Sequence, residues 1–310
     1  MDPQKSSKNE IDITGLLFEI RIKKYLILTI SLSFFLISIL YSLYLPNKYS
    51  SFAIIKASDD FSDEYSIDSS LSSIAGLAGI GLDNSPKNQE YIIEVLKSHE
   101  LFKEVLLKNP TYRQNLVAAS SYSFSENKIF FKENIFNEKN NEWTRSPPSG
   151  RAITPSSQEV HQEFVLPNLS ILKRSRTSDF IEVTFTHLSP IFAQDFVNTL
   201  LNTLNQSSRR KDLLETELSL EYLENRLTNT TQVVIRNSIS NLLSSQLNKQ
   251  MIANAKENYL VEVVEPPLVP EIKYYPRRTI IVINSTMVGF LIAIMYVLAV
   301  YYVRSFYKEN

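Results

Sequence analysis

The sequence predicts an α+β membrane protein, in which two transmembrane helices flank one large region of mixed strands and helices. Three observations carry this. Two uncharged apolar runs bracket the 310-residue chain, Tyr25 to Leu45 (YLILTISLSFFLISILYSLYL) and Thr279 to Val303 (TIIVINSTMVGFLIAIMYVLAVYYV). Between them, short segments rich in β-branched and aromatic residues read as strands. From Ile191 to Asn258 no glycine or proline occurs, and apolar residues recur at helical spacing.

Each apolar run crosses a hydrocarbon core of about 30 Å as a helix rising about 1.5 Å per residue. Two spans put both ends of the chain on one side: residues 1–24 and 304–310 as tails, 25–45 and 279–303 as spans, and 46–278 on the other face. Arg21, Lys23 and Lys24 abut the first span, with Lys5 and Lys8 behind them, and Arg304 and Lys308 follow the second. Positive flanks favour the cytoplasm. Arg277 and Arg278 lie on the other side, but long domains translocate largely regardless of charge. The middle region is therefore expected outside the cytoplasm. The first run is too long for the apolar part of a cleaved signal, and Leu43-Tyr44-Leu45-Pro46 offers no small-residue cleavage site.

The chain has no cysteine, which excludes disulfides and thiol chemistry and suits a bacterial extracytoplasmic region. Pro46 to Pro276 holds 23 Lys and Arg against 28 Asp and Glu, a net charge of −5. That balance opposes a bulk grip on nucleic acid.

Taken in order, Tyr49 to Ala57 reads as a strand. The acidic, serine-rich stretch from Ser58 to Ser73, with Asp59, Asp60, Asp63, Glu64 and Asp68, reads as a solvated loop rather than a metal or sugar site, because its carboxylates lack fixed spacing. Ile74 to Leu82 (IAGLAGIGL) is glycine-rich but lacks the Gly-Lys-Ser/Thr ending of a phosphate loop. Asn88 to Lys108 reads as one helix closed by Pro110. Lys128 to Lys132 and Glu163 to Lys173 read as strands, separated by a polar excursion, Asn137 to Ser157. There Trp143 either stacks on a sugar ring or covers a local apolar patch. Phe180 to His187 (FIEVTFTH) alternates as a strand. Ser189-Pro190 opens the long helical region, about 189–258, with serine as N-cap and proline in the first turn.

Leu213, Leu220 and Leu227 extend the helical stripe at seven-residue spacing, and Thr228 to Thr231 offers a break before Ile235 to Leu247 resumes it. Unbroken, such a helix would exceed about 100 Å, so it protrudes or packs along copies of itself. This makes Leu213, Leu220 and Leu227 oligomer-contact candidates. Leu260 to Glu265 reads as a last strand. Pro266, Pro267, Pro270 and Pro276 then stiffen the approach to the second span. Asn284 and Gly289 are packing candidates within that span.

No catalytic pattern appears. His99, His161 and His187 form no zinc spacing, and no Gly-x-Ser-x-Gly elbow occurs. No catalytic residue, cofactor or metal is assigned.

This arrangement resembles the Wzz chain-length determinants, class 1 polysaccharide co-polymerases of Gram-negative inner membranes. Ile11-Asp12-Ile13 with Arg21 and Lys23-Lys24 is similar to the family's entry to the first span. SPIFAQDFVNTLLNTLNQSSRR, from Ser189 to Arg210, followed by Tyr222-Leu223, is similar to the start of its long helix. VEPPLVPEIKYYPRR, from Val264 to Arg278, resembles its proline-rich approach to the second span, and SLSSIAGLAGIGL a serine- and glycine-rich segment of relatives. Relatives often carry two glycines four apart in the second span; here Gly289 stands alone, which puts close span packing there in doubt.

The resemblance implies a periplasmic α/β base domain with a long protruding helix and assembly into a homo-oligomeric ring. It also implies a non-catalytic role beside a Wzy-type polymerase, setting the modal length of a growing lipid-linked polysaccharide such as lipopolysaccharide O antigen. Alternatives are a capsule or exopolysaccharide co-polymerase working with a separate kinase, a two-span periplasmic sensor and an anchored hydrolase. A sensor needs a cytoplasmic output domain, which neither short tail is expected to hold.

Overall fold

The structure, a computed structural model, describes residues 13–58, 87–175 and 178–309. The acidic serine-rich stretch beyond Ser58 and the glycine-rich segment lie outside these. The chain divides into two compact units, Met1–Asn47 with Tyr274–Asn310, and Lys48–Lys273.

The first unit is helical: α1 (Ile13–Ile22), α2 (Lys24–Tyr44) and α9 (Arg278–Glu309). Lys24–Tyr44 and Arg278–Val303 are each long and apolar enough to cross a membrane, with mean hydropathy 2.3.

The second unit is built on an antiparallel sheet in the order β6-β7-β1-β8. Its strands are β1 (Tyr49–Ala57), β6 (Leu169–Lys173), β7 (Phe180–His187) and β8 (Val261–Glu265). Alternation along β7 buries Ile181, Val183, Phe185 and His187 and turns Phe180, Glu182, Thr184 and Thr186 outward, as period 2 requires. Register aligns the inward residues into rows. Ile171, Val183 and Ala53 form one, and Ile181, Ile55 and Val263 the next. On this face lie α3 (Lys87–Lys97), α4 (His99–Lys108), α5 (Tyr112–Ala118) and the first turns of α7 (Pro190–Thr228). Phe196 on α7 stacks on Phe185 at 4.1 Å between centroids.

Two local readings are corrected. The helix expected over Asn88 to Lys108 is two helices. Ser98 is extended (φ −70, ψ 142), and its Oγ caps α4 by accepting from Leu101 N–H. The strand expected from Glu163 starts only at Leu169. Residues 157–168 instead form α6 (Ser157–Val160), a π-helical turn (His161–Val165) and a 3₁₀ turn (Leu166–Asn168). Ser156 caps this segment, and Val160, His161 and Val165 are buried. The break that Thr228 to Thr231 offered in the long helix is present: Thr228, Asn229 and Thr230 side chains bond the carbonyls of Asn225 and Arg226. Such side-chain bonds satisfy the last carbonyls and end a helix. The chain then returns as α8 (Val233–Ala255), giving a helical hairpin. The hairpins β2–β3 (Ala119–Ser123, Lys128–Phe131) and β4–β5 (Phe136–Asn137, Glu142–Trp143) complete the unit.

Ser189 opens α7 as expected from sequence, its Oγ accepting from Phe192 N–H at 3.2 Å. His187, two residues earlier, is locked neutral. Its Nδ1 accepts from Ser189 N–H at 3.1 Å, so Nε2 donates to the Asn115 carbonyl at 3.0 Å. Burial pushes its pKa down to about 4 from 6.5. The unfolded chain therefore binds a proton that the folded chain refuses, and stability falls as pH drops from about 6.5 towards about 4. The expected loss is on the order of 3 kcal/mol, read as a falling urea midpoint. His187→Gln should flatten this slope, leaving the smaller contribution of His161, which burial shifts in the same direction.

Candidate functional site

The features singled out in the sequence fall in three places: the proline-rich strap after β8, the pair of apolar helices, and the helical hairpin.

The strap is held by carbonyls, since proline has no N–H to donate. Ser51 Oγ donates to Leu268 O at 2.8 Å, and Gln194 Nε2 to Pro267 O at 3.4 Å. Pro267 is buried, Pro270 half-buried and Pro266 exposed. Leu268 and Ile272 point to solvent, 68% and 82% exposed. Pro276, in the first unit, is buried, and nearby the Arg277 guanidinium lies over the Tyr274 ring at 5.6 Å.

In the first unit α2 and α9 pack antiparallel. Ile27 clusters with Ala293 and Val297, while Phe34 lies against Gly289 and Asn47 accepts from Arg278. A Cβ at Gly289 would sit 2.6 Å from Phe34 Cβ and Cγ. This corrects the doubt about close packing. One glycine is enough, because Ala293 stands four residues on and the buried side reads Gly289, Ala293, Val297, a small-xxx-small pattern. Asn284 lies on the exposed side. The facing side of α2 carries the buried Ser38 and Ser42.

In the hairpin, Leu213, Leu220 and Leu227 are half-buried. Less-exposed positions recur at 213, 216, 220, 223 and 227 on α7 and at 239, 243, 246, 250 and 253 on α8. Alternating steps of three and four mark a coiled-coil seam, so the leucine stripe faces the returning helix. A second apolar stripe remains outside: Leu214, Leu218 and Tyr222, each about 60% exposed. Their spacing of four carried the signal, but the seven-residue repeat of Leu213 masked it.

At the root of the hairpin, Arg209 donates to the carbonyls of Lys256 and Glu257 just past α8. Arg210 donates to Glu104 on α4 at 2.7 Å. Asn205 (5% exposed) clamps β8: its Oδ1 accepts from Leu260 N–H and Val261 N–H, and its Nδ2 donates to Val261 O, all at 2.9 Å.

The histidines do not gather into one centre. His99 and His161 rings approach to 5.7 Å, with His99 Nε2 3.1 Å from Ser157 Oγ and His161 bonded to the Lys97 carbonyl. His187 serves the β7–α7 junction. Among the described residues no three His, Asp or Glu side chains are grouped to hold a metal ion. Trp143 packs on Phe136 at 5.1 Å between centroids, the local patch among the two roles open to it.

Residues 9–108 match the family model Wzz, described as chain length determinant protein. Among solved structures the chain is similar to a full-length bacterial polysaccharide co-polymerase, at 13% identity and TM-score 0.39, covering 96% of this chain and 99% of that one. It is also similar to a fragment of WzzB, a polysaccharide co-polymerase from Salmonella Typhimurium, at 13% identity and TM-score 0.31, covering 74% and 100%. A third is a mutant of WzzBSF, the Shigella flexneri lipopolysaccharide O-antigen chain-length regulator, at 12% identity and TM-score 0.21, covering 73% and 99%. No curated protein matches. The similarity to the chain length determinant family model is thus to residues 9–108, about a third of the chain.

Proposed function

We propose that this protein is a non-catalytic regulator of polysaccharide chain length. It sits in a bacterial inner membrane with both termini cytoplasmic and residues 46–278 in the periplasm. There it sets the modal length of a lipid-linked polymer, lipopolysaccharide O antigen, made by a Wzy-type polymerase. The match of residues 9–108 to the chain length determinant family carries this reading, and the two apolar helices support the topology. Deleting the gene and running the surface polysaccharide on a gel tests it. Loss of the modal band with polymer still made is the expected result. Loss of all polymer would point to a synthase or exporter, and an unchanged ladder would end the reading. A periplasm-dependent reporter fused after Lys173 should be active.

A ring of identical subunits is part of the proposal, and the outer stripe of α7 is its contact candidate. A leucine desolvated at such a contact contributes about 1.5–3 kcal/mol, repeated in every subunit. Leu218→Glu should therefore reduce crosslinked oligomers in detergent while leaving the hairpin folded. Leu220→Glu should destabilise the hairpin seam first. Wild-type oligomers from Leu218→Glu would remove this stripe from the contact.

A further inference from the structure

A cleft of about 520 Å³ opens beside the polar excursion, between α5, the residues after β3, the Arg145–Arg151 loop and the helical turns from Glu159 to Phe164. Its volume lies within the range of about 300–1,000 Å³ typical of ligand sites. The loop over it is tied down by hydrogen bonds. Arg145 Nε donates to Ile153 O at 2.7 Å, Nη2 to Ala152 O at 2.8 Å, and both terminal nitrogens to the buried Glu159 carboxylate. Hydrogen bonding to Arg145 holds the Glu159 carboxyl below the usual carboxylate range. Gly150, at φ +84, supplies the left-handed turn. A proline-containing excursion held this firmly is pre-organised, and ordered loops of this kind commonly carry binding groups.

What faces the cleft is chemically specific. The side chains of Lys132, Asn134 and Ser146 have no hydrogen-bond or ion-pair partner among the described residues. Arg151 gives Nη1 to Glu163 at 2.5 Å and is 42% exposed. Of the charges lining the cleft, Glu159 holds Arg145 and Glu163 holds Arg151, which leaves Lys132 uncompensated. Ile135 and Phe164 supply half-buried apolar surface between these groups. An amide and a hydroxyl match sugar hydroxyls, an apolar wall matches the C–H face of a pyranose, and an unpaired ammonium matches a carboxylate.

We infer that this cleft binds a saccharide segment carrying a carboxylate, such as a uronic acid residue of a longer chain. The choice of a saccharide rests on the proposed function above; the cleft and its unpaired groups do not. The test is isothermal titration of the full-length protein in detergent with a hexauronate oligosaccharide, and with maltohexaose as the neutral control. Hexauronate should bind, weaken with added salt, and exceed maltohexaose by about tenfold. Lys132→Ala should lower its affinity by about tenfold and Lys132→Arg restore it, while Asn134→Ala weakens both sugars. These positions are exposed, so a circular dichroism spectrum matching wild type is expected throughout. Absence of hexauronate binding, equal binding of the neutral sugar, or wild-type affinity in Lys132→Ala would overturn the inference. A protein that governs the modal band yet fails this titration loses the cleft and keeps the function. One that passes it while deletion leaves the ladder unchanged keeps the cleft and loses the function.

Discussion

Replacing Gly289 with leucine is expected to break the helix pair of the first unit. The absence of native cysteine makes this measurable: Ile27→Cys with Val297→Cys, two residues of one buried cluster, should form a disulfide in the otherwise unchanged chain. In the Gly289→Leu background its yield should fall about tenfold, because apolar helices in lipid associate mainly through van der Waals packing. A new Cβ would lie 2.6 Å from Phe34 Cβ, about 1 Å inside the favourable separation. Phe34 Cβ is fixed to its backbone, so rotation of the ring cannot relieve the contact and one helix must move. Asn284→Leu, on the exposed side of the same helix, should leave the yield unchanged. An undiminished disulfide in Gly289→Leu would show that the pair does not depend on this approach.

Asn205→Leu should cost the second unit on the order of 3–5 kcal/mol. Leucine nearly matches asparagine in size but leaves two N–H groups and one carbonyl buried without partners, each worth about 1–3 kcal/mol. Domains of this size hold only about 5–15 kcal/mol in total, so the loss is large. The chain has one tryptophan, and Trp143 packs on Phe136 within this unit, so its fluorescence reports urea unfolding. Asn205→Asp, which keeps the acceptor for both N–H groups, should fall between the two. A midpoint in Asn205→Leu equal to wild type would mean that water satisfies β8 without the clamp.

Both expectations rest on contacts that no local pattern announces. Gly289 and Phe34 are 255 residues apart, and Asn205 meets β8 across 55–56 residues. Asn205, Arg209 and Arg210 lie in the stretch from Ser189 to Arg210 that resembles the family's long helix, but what they do is decided only where α8 returns beside α7 and α4 lies against it.

What was legible in the sequence is what local chemistry decides. Composition marked the two apolar helices, β-branched and aromatic residues marked β1, alternation marked β7, and serine followed by proline marked the start of α7. Each depends on neighbours within a few residues, where period and capping act directly. Tertiary structure decided the rest. Ser98 splits a helix whose apolar face continues across it. The segment before Leu169 coils, because Val160, His161 and Val165 find a core that alternation alone could not predict. The leucines at 213, 220 and 227 turn inward because α8 covers them, which leaves Leu214, Leu218 and Tyr222 outside. A sequence states which residues prefer burial; which surface buries them depends on where distant parts of the chain come to lie.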